Sequence, residues 1–353
     1  MIRLVQFFGL GFLLLMVLNG LSWIIDDTGE HRQMREALPA IQGREAVSLG
    51  GSIGVGLRFP EMCVDGADYF WNGQDLFEVE AVADLILDGP APPRYWFVVA
   101  APTAQSYDNG AQASERGGRR REFHRLLFRH GRFGMVGGDW RQVLITALTP
   151  ALGYDAWAGR FQMLRHQMGL AEAPPPPTDR AARDRLTLDP ARAGPEAEAF
   201  TDRQAVQLQR MAYYDSSIPR RSEEALIRIN QRIAATGGTM IVVTPPMTEA
   251  VRESTMREMG DQVRGFEAML ARLAEDGVVV SNHWRDPAFA ESHDLFADNQ
   301  HLNRAGAQVF SRSLADELRD RDILPAAACS YGQAVETAGF QTTSGHEILD
   351  DAR

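Results

Sequence analysis

Two short motifs near opposite ends of the chain carry the residue types of serine acyl chemistry. Residues 50–54 (Gly-Gly-Ser-Ile-Gly) follow a hydrophobic run and can place a serine hydroxyl on a tight turn. Residues 298–303 (Asp-Asn-Gln-His-Leu-Asn) place an imidazole three residues after a carboxylate. Serine is a poor nucleophile until a neighbouring base takes its proton, and a carboxylate can orient that base. The motifs predict Ser52 as nucleophile, His301 as general base and Asp298 as the group that orients His301.

Each motif alone also fits other structures. A glycine-rich strand end is often only a turn, and it can bind phosphate, although here it lacks the Lys-Ser/Thr of a P-loop. Gly-x-Ser-x-Gly also describes the nucleophile elbow of the α/β-hydrolase fold. Ser52 follows the first predicted strand, which is early for that elbow, and the Asp298–His301 spacing is tight for it. The two motifs together favour catalysis in a different α/β fold.

The hydrophobic pattern predicts alternating strands and helices, which is typical of an α/β sheet. The predicted strands are residues 46–49, 95–101, 239–244 and 278–280. The predicted helices are residues 76–87, 204–214, 222–235, 261–274 and 304–318, with Ser222 as the N-cap of the third. Residues 139–170 also look helical, and the segment from Pro174 to about Glu198 has the composition of an exposed linker.

These elements define the expected domains. Residues 1–25 are expected to be a transmembrane signal anchor and residues 26–44 a juxtamembrane stalk or short helix. Residues 45–325 are expected to form one α/β domain, with a helical insertion and Pro-rich linker at about 135–235. Residues 326–353 form a weakly patterned C-terminal tail.

The N-terminal segment predicts the location of the protein. Residues 2–25 carry one charge, Arg3, and are about long enough to span a bilayer. The basic residue before the span and acidic residues after it place the body on the extracytoplasmic side. A cleaved signal peptide is the alternative, but no small-x-small cleavage site follows residues 21–23 (Leu-Ser-Trp). We therefore expect an uncleaved anchor in a bacterial inner membrane, with the catalytic domain in the periplasm.

The overall charge and composition limit the classes of binding partner that are expected. The 353 residues carry a formal net charge of -11, which argues against a generic nucleic-acid binder. Residues 105–134 are rich in arginine, notably 119–121 (Arg-Arg-Arg), and form either a solvated face or a patch for anionic polymer or lipid. The two cysteines, Cys63 and Cys329, are either a disulfide or two buried thiols, and neither has metal-site spacing.

The chain resembles the SGNH/GDSL hydrolase superfamily over about residues 44–320. The resemblance lies in Gly-Gly-Ser-Ile near the start and Asp-x-x-His-Leu-Asn-x-x-Gly-Ala near the end. It implies a flavodoxin-like three-layer α/β/α fold with Ser52 as nucleophile and Asp298 and His301 as its partners. It implies no cofactor and no metal.

With its predicted anchor, the chain is similar to the envelope branch of that superfamily. This branch includes the D-alanine transfer protein of teichoic acid synthesis and the polysaccharide O-acetyltransferases. The similarity implies an O-acyltransferase or esterase that acts on an envelope polysaccharide or an acylated small molecule. It makes a multi-pass membrane O-acyltransferase a candidate partner.

The sequence departs from the family pattern at the predicted oxyanion hole. Gly51 stands where the family has Asp, and no Gly-x-Asn-Asp block follows Ala101, so that Asn109 is the nearest substitute. Gly73 is the candidate glycine of the second block. The expected oxyanion and substrate-binding residues are therefore Gly51, Gly73 and Asn109, together with the Ser52 amide. Two alternatives stay open: a non-catalytic member of the fold that binds an acyltransferase or a glycan, and an anchored scaffold.

Overall fold

The computed structural model describes residues 2–24, 37–70, 73–109 and 180–326, with short pieces at 126–127, 130–131, 165 and 168–170. Several predicted features lie outside these residues. They are the arginine run at 119–121, the helical segment at 139–170 apart from those short pieces, the prolines at 174–177, Cys329 and the tail from 327 onward.

A five-stranded parallel sheet forms the centre of the domain. The strands are β1 (Ala46–Gly50), β2 (Gly66–Phe70), β3 (Tyr95–Val99), β4 (Thr239–Thr244) and β5 (Val279–Asn282). Their order is β2-β1-β3-β4-β5, and every neighbouring pair is parallel. The near-continuous apolar runs of β1, β3 and β4 follow from burial on both faces. The strands predicted from the sequence are confirmed, and β2 is an edge strand that the pattern did not reveal.

Helices cover both faces of the sheet in a three-layer α/β/α arrangement. The described helices are α1 (Ile2–Ile24), α2 (Phe59–Met62), α3 (Leu76–Leu87), α4 (Arg180–Arg183), α5 (Pro190–Tyr214), α6 (Ile218–Ala235), α7 (Glu249–Glu275) and α8 (Arg304–Asp320). Alternate strand residues feed two cores, because successive side chains in a strand point to opposite faces. Trp96 and Val98 pack with α3 and α6, while Phe97 and Val99 pack with α8.

Helix α3 shows how local sequence sets an element beside the site. Asp75 accepts from the Glu78 amide at 2.8 Å, and Glu78 accepts from the Asp75 amide at 3.1 Å, which completes a capping box. Val79, Val82 and Ile86 are fully buried on one stripe. The helix spans the predicted residues.

The linker predicted between Pro174 and about Glu198 is wrong over its last part, because α5 begins at Pro190. Asp189 caps this helix by accepting from the Ala191 amide at 3.0 Å, and a proline is compatible with the first helical position. Ala193 and Ala197 are buried in the core. Small residues that resemble linker composition here allow close packing.

The predicted start of the next helix is also wrong. Helix α6 begins at Ile218 rather than at Ser222, and Ser222 is fully buried inside it. Its end is as predicted, with Gly237 at a φ of 79° just beyond it. Helix α7 begins at Glu249, about three turns before the predicted residue 261. Thr248 caps it by accepting from the Val251 amide at 3.4 Å.

The N-terminal region is described in part. Helix α1 has exposed apolar side chains that include Phe7 and Leu10. Counting only residues whose placement is described, no helix is both long enough and apolar enough to cross a bilayer. At the end of the predicted stalk, Leu38 and Ile41 are buried in the core beside α3.

The strand order determines where a site is expected. In an open parallel sheet, ligands bind at the carboxyl ends of the strands, where the chain reverses its direction of winding. In the order 2-1-3-4-5 this point lies between β1 and β3. Ser52 comes two residues after the end of β1, so the predicted nucleophile lies beside this crevice.

Candidate active site

The serine turn depends on the glycine that ends β1. Gly50 has a φ of 127°, and a Cβ on it would lie 2.1 Å from the Val99 carbonyl oxygen. Only glycine fits this conformation and this close approach to β3. Gly51 has an ordinary φ of -74°, and Ser52 then begins the short 3₁₀ helix Ser52–Gly56. The chain thus leaves the sheet sharply, with Ser52 at the first turn.

The histidine lies on a short loop that leads into α8. Phe296 and Leu302 form an isolated antiparallel bridge, and the Ala297 amide donates to the His301 carbonyl at 2.8 Å. Asp298 Oδ1 accepts from the amides of Gln300 and His301 at 2.9 and 3.0 Å. The loop therefore fixes the carboxylate and the imidazole relative to each other before any substrate binds.

The cap of α8 closes this loop. Asn303 Oδ1 accepts from the Gly306 amide at 3.1 Å, and its Nδ2 donates to the Asp294 carbonyl at 2.6 Å. A Cβ on Gly306 would lie 2.0 Å from the Leu295 carbonyl oxygen. The Asn and Gly that follow His301 in the motif thus have local structural reasons for their identity.

The fold brings the two motifs together across 249 residues of sequence. Ser52 Oγ lies 2.8 Å from His301 Nε2. On the opposite side of the ring, His301 Nδ1 lies 2.8 Å from both carboxylate oxygens of Asp298. These are the contacts of a nucleophile, a base and an orienting carboxylate.

The charge state of Asp298 sets the direction of the hydrogen bonds. Burial raises the pKa of Asp298, but the hydrogen bonds and charge of His301 and the amides of Gln300 and His301 outweigh it and lower that pKa to about 2. The carboxylate is therefore ionised and can only accept. His301 Nδ1 carries its proton toward Asp298, which leaves Nε2 free to accept the Ser52 hydroxyl proton.

The predicted oxyanion residues are brought near one another but differ in what they can donate. Gly73 has a φ of 66°, and its carbonyl accepts from Asn109 Nδ2 at 2.8 Å. Asn109 Nδ2 also donates to Glu78 Oε2 at 3.1 Å. The side-chain nitrogen Nδ2 of Asn109 has two hydrogens, and both are engaged. In this arrangement the Asn109 side chain therefore has no donor left for an oxyanion. Gly51 lies beside the Gln74 carbonyl oxygen, which would be 3.9 Å from a Cβ on Gly51.

Sequence reasoning missed an arginine that supports the serine turn. Arg180 from α4 donates to the Leu57 carbonyl at 3.1 Å and pairs with Asp68 at 2.6 Å. Asp68 in turn accepts from Ser48 of β1 at 2.8 Å. Arg183 lies on the same helix. Burial lowers the pKa of Arg183, and the negative charge of Asp298 partly offsets this by raising it. No motif marks these arginines, because they come from a segment 120 residues or more from the turn.

Sequence reasoning also missed Gln74. Its Oε1 accepts from the Gly50 amide at 2.7 Å, two residues before Ser52. The only signal in the sequence was its position after Gly73, which gives no indication of a contact with β1.

No family model and no curated protein matches the chain. Within the residues that the structure describes, no group of three or more His, Cys, Asp or Glu side chains is arranged to hold a metal ion. The geometry of the site is therefore the basis on which a function can be proposed.

Proposed function

We propose that the protein performs serine-dependent acyl-ester chemistry at the cell envelope, as an esterase or an O-acyltransferase. One observation carries the proposal: Ser52 Oγ, His301 and Asp298 form a continuous hydrogen-bonded series with 2.8 Å contacts on both sides of the imidazole. The position of Ser52 at the carboxyl end of β1 adds support, because parallel sheets bind ligands there.

The mechanism follows from the directions of these hydrogen bonds. Ser52 Oγ attacks the acyl carbonyl carbon while its proton passes to His301 Nε2, and Asp298 stabilises the imidazolium that forms. The carbonyl electron pair moves onto oxygen, where backbone amides of the serine turn and the Gly73 loop are the candidate donors. The pair then returns, the ester bond breaks, and the leaving alkoxide takes the proton from His301. An acyl group remains on Ser52.

Esterase and transferase share this acyl-enzyme and differ in the acceptor that follows. His301 removes a proton either from water or from a glycan hydroxyl, and that oxygen attacks the acyl-enzyme. The resemblance to envelope O-acetyltransferases favours a glycan hydroxyl as acceptor. The sheet order 2-1-3-4-5 is that of flavodoxin-like folds, and together with the resemblance it favours an SGNH-type fold for this domain.

The proposed location is the extracytoplasmic side of a bacterial inner membrane, with residues 1–25 as the anchor. The apolar composition of this segment motivates the proposal. Cys63 supports it, since this residue is disulfide-bonded and stable disulfides belong to oxidising compartments. The chain has one other cysteine, Cys329, which lies outside the described residues.

The test uses a chromogenic acetyl ester with the wild-type protein and two serine variants. We expect Ser52→Ala to reduce hydrolysis by about 10³-fold or more, because the nucleophile is lost. Ser281→Ala is the matched control, since it also removes one serine hydroxyl near a histidine. Equal activity of wild type and Ser52→Ala would refute the proposal. Adding a glycan acceptor and measuring the ratio of transfer to hydrolysis then distinguishes the two activities.

One observation favours a second candidate, a non-catalytic partner of a membrane acyltransferase. Both hydrogens of Asn109 Nδ2 are engaged, which removes the expected side-chain oxyanion donor. Losing one such donor costs about 10²–10³ in rate, so a slow enzyme or a binding protein results. Binding of an acyltransferase that is unaffected by Ser52→Ala, with no hydrolysis by the wild type, would favour this candidate.

A further inference from the structure

Gln74 joins the two chain segments expected to form the oxyanion hole. Its side-chain Oε1 accepts from the Gly50 amide at 2.7 Å, and its main chain directly follows Gly73. The Gln74 carbonyl also flanks Gly51, at 3.9 Å from the position of a Cβ there. Gln74 thus contacts Gly50, lies near Gly51 and belongs to the loop that carries Gly73.

The segment around Gln74 is itself held rigidly. Asn109 Nδ2 donates to the Gly73 carbonyl at 2.8 Å, and the Asn109 amide donates to Asp75 Oδ2 at 2.6 Å. Asp75 caps α3, which packs in the buried core. The contact from Gln74 to Gly50 therefore connects the serine turn to a fixed support rather than to a free loop.

The serine turn needs such a support because of its backbone conformation. Gly50 has a φ of 127°. Glycine loses more conformational freedom on folding than any other residue, so fixing this conformation is costly. A hydrogen bond to the Gly50 amide restricts the peptide between Leu49 and Gly50, where the chain leaves β1 for the turn with Gly51 and Ser52. A displacement of about 1 Å at a reacting group can cost about 10²-fold in rate.

The two halves of the Gln74 carboxamide differ. Gln74 is 8% exposed, and its Nε2 is buried with no hydrogen-bond partner among the residues that the structure describes, whereas Oε1 is engaged. A buried unpaired donor is unfavourable, so the Gln74 side chain keeps its place in spite of Nε2. The acceptor oxygen Oε1 is therefore the atom through which the Gln74 side chain stabilises the turn.

We propose that Gln74 is a positioning residue that holds the Ser52 turn for catalysis through the contact of its Oε1 with the Gly50 amide. This inference rests on the proposed function, and it assigns to Gln74 no contact with substrate. It leads to a specific expectation for substitution: methionine, of similar length but apolar, cannot accept from the Gly50 amide and so leaves the turn without this support.

The experiment compares Gln74→Met with the wild type in the full-length protein. We measure kcat and KM for the acetyl ester, the rate of Ser52 modification by a phosphonofluoridate, and Tm. Gln74→Met is expected to lower kcat and the modification rate together by about 10–100-fold with KM changed less than about threefold.

Gln42 offers the matched control. Its Oε1 accepts from the Ala91 amide and its Nε2 donates to the Ile86 carbonyl, both at 3.0 Å, and it contacts none of the site residues. Gln42→Met is expected to lower Tm without changing kcat, which separates a structural contact from a positioning one.

The outcomes distinguish this inference from the function on which it rests. If wild type is active and Gln74→Met equals it, the inference fails and the function stands. If Gln74→Met lowers Tm as Gln42→Met does and leaves both rates within about threefold of wild type, the contact is only structural and positioning through Oε1 is wrong. If wild type neither hydrolyses the ester nor reacts with the phosphonofluoridate, both proposals fall.

Discussion

Two clusters of a serine, a histidine and a carboxylate lie at the carboxyl ends of two strands, and they have different geometries. In the first, Ser52 Oγ lies 2.8 Å from His301 Nε2 just beyond β1. In the second, Ser281 Oγ lies 2.8 Å from His283 Nε2 at the end of β5. The serine–histidine distance is therefore the same in both, and the difference lies elsewhere.

The position of the carboxylate separates the two clusters. Glu317 Oε2 lies 2.6 Å from Ser281 Oγ and 2.9 Å from His283 Nε2, so each of the three atoms is within hydrogen-bond distance of the other two. Ser281 donates its proton to the carboxylate instead of to the imidazole. In the first cluster the carboxylate lies on the opposite ring nitrogen, which leaves the serine-facing nitrogen free.

The carboxylates of the second cluster also change the pKa of its imidazole. Burial lowers the pKa of His283, but Glu317 and Asp286 outweigh burial and raise it. A raised pKa favours the protonated form of the imidazole, and that form cannot act as a base. Ser281 is also only 2% exposed, within a strand, whereas Ser52 is half-buried on a turn. The comparison teaches that residue type and distance do not identify a catalytic serine; the order of the contacts does.

The largest expected difference is between the two histidines. His301→Gln removes the proposed base, so we expect ester hydrolysis to fall by about 10³-fold or more. His283→Gln is expected to leave hydrolysis within about threefold of wild type and to lower Tm, because it breaks contacts between β5 and α8. Steady-state kinetics and thermal unfolding of both variants check this. Loss of activity in His283→Gln at an unchanged Tm would mean that the second cluster is catalytic.

The next difference concerns the glycines that set the Ser52 turn. Gly50→Ala places a Cβ 2.1 Å from the Val99 carbonyl at a φ of 127°, and we expect the free energy of unfolding to fall by about 3 kcal/mol or more. Gly51 has an ordinary φ, and apart from its chain neighbours no atom of the described residues would lie closer than 3.9 Å to the Cβ of Gly51→Ala, so we expect a change within about 0.5 kcal/mol. Denaturant unfolding measures both, and equal effects would show that the turn does not have this conformation.

The smallest difference is a pH dependence of stability in the second cluster. The pKa of Glu317 is lowered from 4.5 to about 2: burial raises it, but hydrogen bonds from His283, Ser281 and Arg321 outweigh burial. Its contribution is therefore full above pH 4.5 and is lost as pH falls toward 2. The pKa of His283 is raised above 6.5, so its contribution is full below pH 6.5 and is lost as pH rises through the folded value.

These two signs define a window for the measurement. We expect Glu317→Gln to lower the free energy of unfolding by about 1 kcal/mol between pH 4.5 and 6.5, with a smaller effect on either side. Denaturant unfolding at a series of pH values tests this. A difference that grows steadily from pH 6 to pH 9 would contradict the assigned charges.

The sequence predicted the triad because both motifs are local. The glycines around Ser52 are sufficient to predict a tight turn at this residue. Asp298 and His301 lie three residues apart, so their spacing alone predicts that they pair. The strands of the centre of the sheet were predictable from their apolar runs, since both faces are buried. The start of α5 was not, because Ala193 and Ala197 show their role only once they pack.

The supports of the site were not predictable for a physical reason. Gln74 and Arg180 act on the serine turn through backbone atoms, at the Gly50 amide and the Leu57 carbonyl. Backbone atoms are the same in every residue, so such contacts leave no motif. Asn109 was predicted as an oxyanion residue, and its contacts with Gly73 and Glu78 became visible only in the fold.

Covalent labelling followed by peptide mapping tests the central claim most directly. The chain has no lysine, so trypsin cleaves at arginine and places Ser52 in peptide 45–58 and Ser281 in peptide 273–285. Peptide 45–58 also contains Ser48, which fragmentation resolves. After reaction with a phosphonofluoridate, the account predicts one adduct, on Ser52, that is absent in His301→Gln. No adduct on Ser52, or one on Ser281, would contradict it.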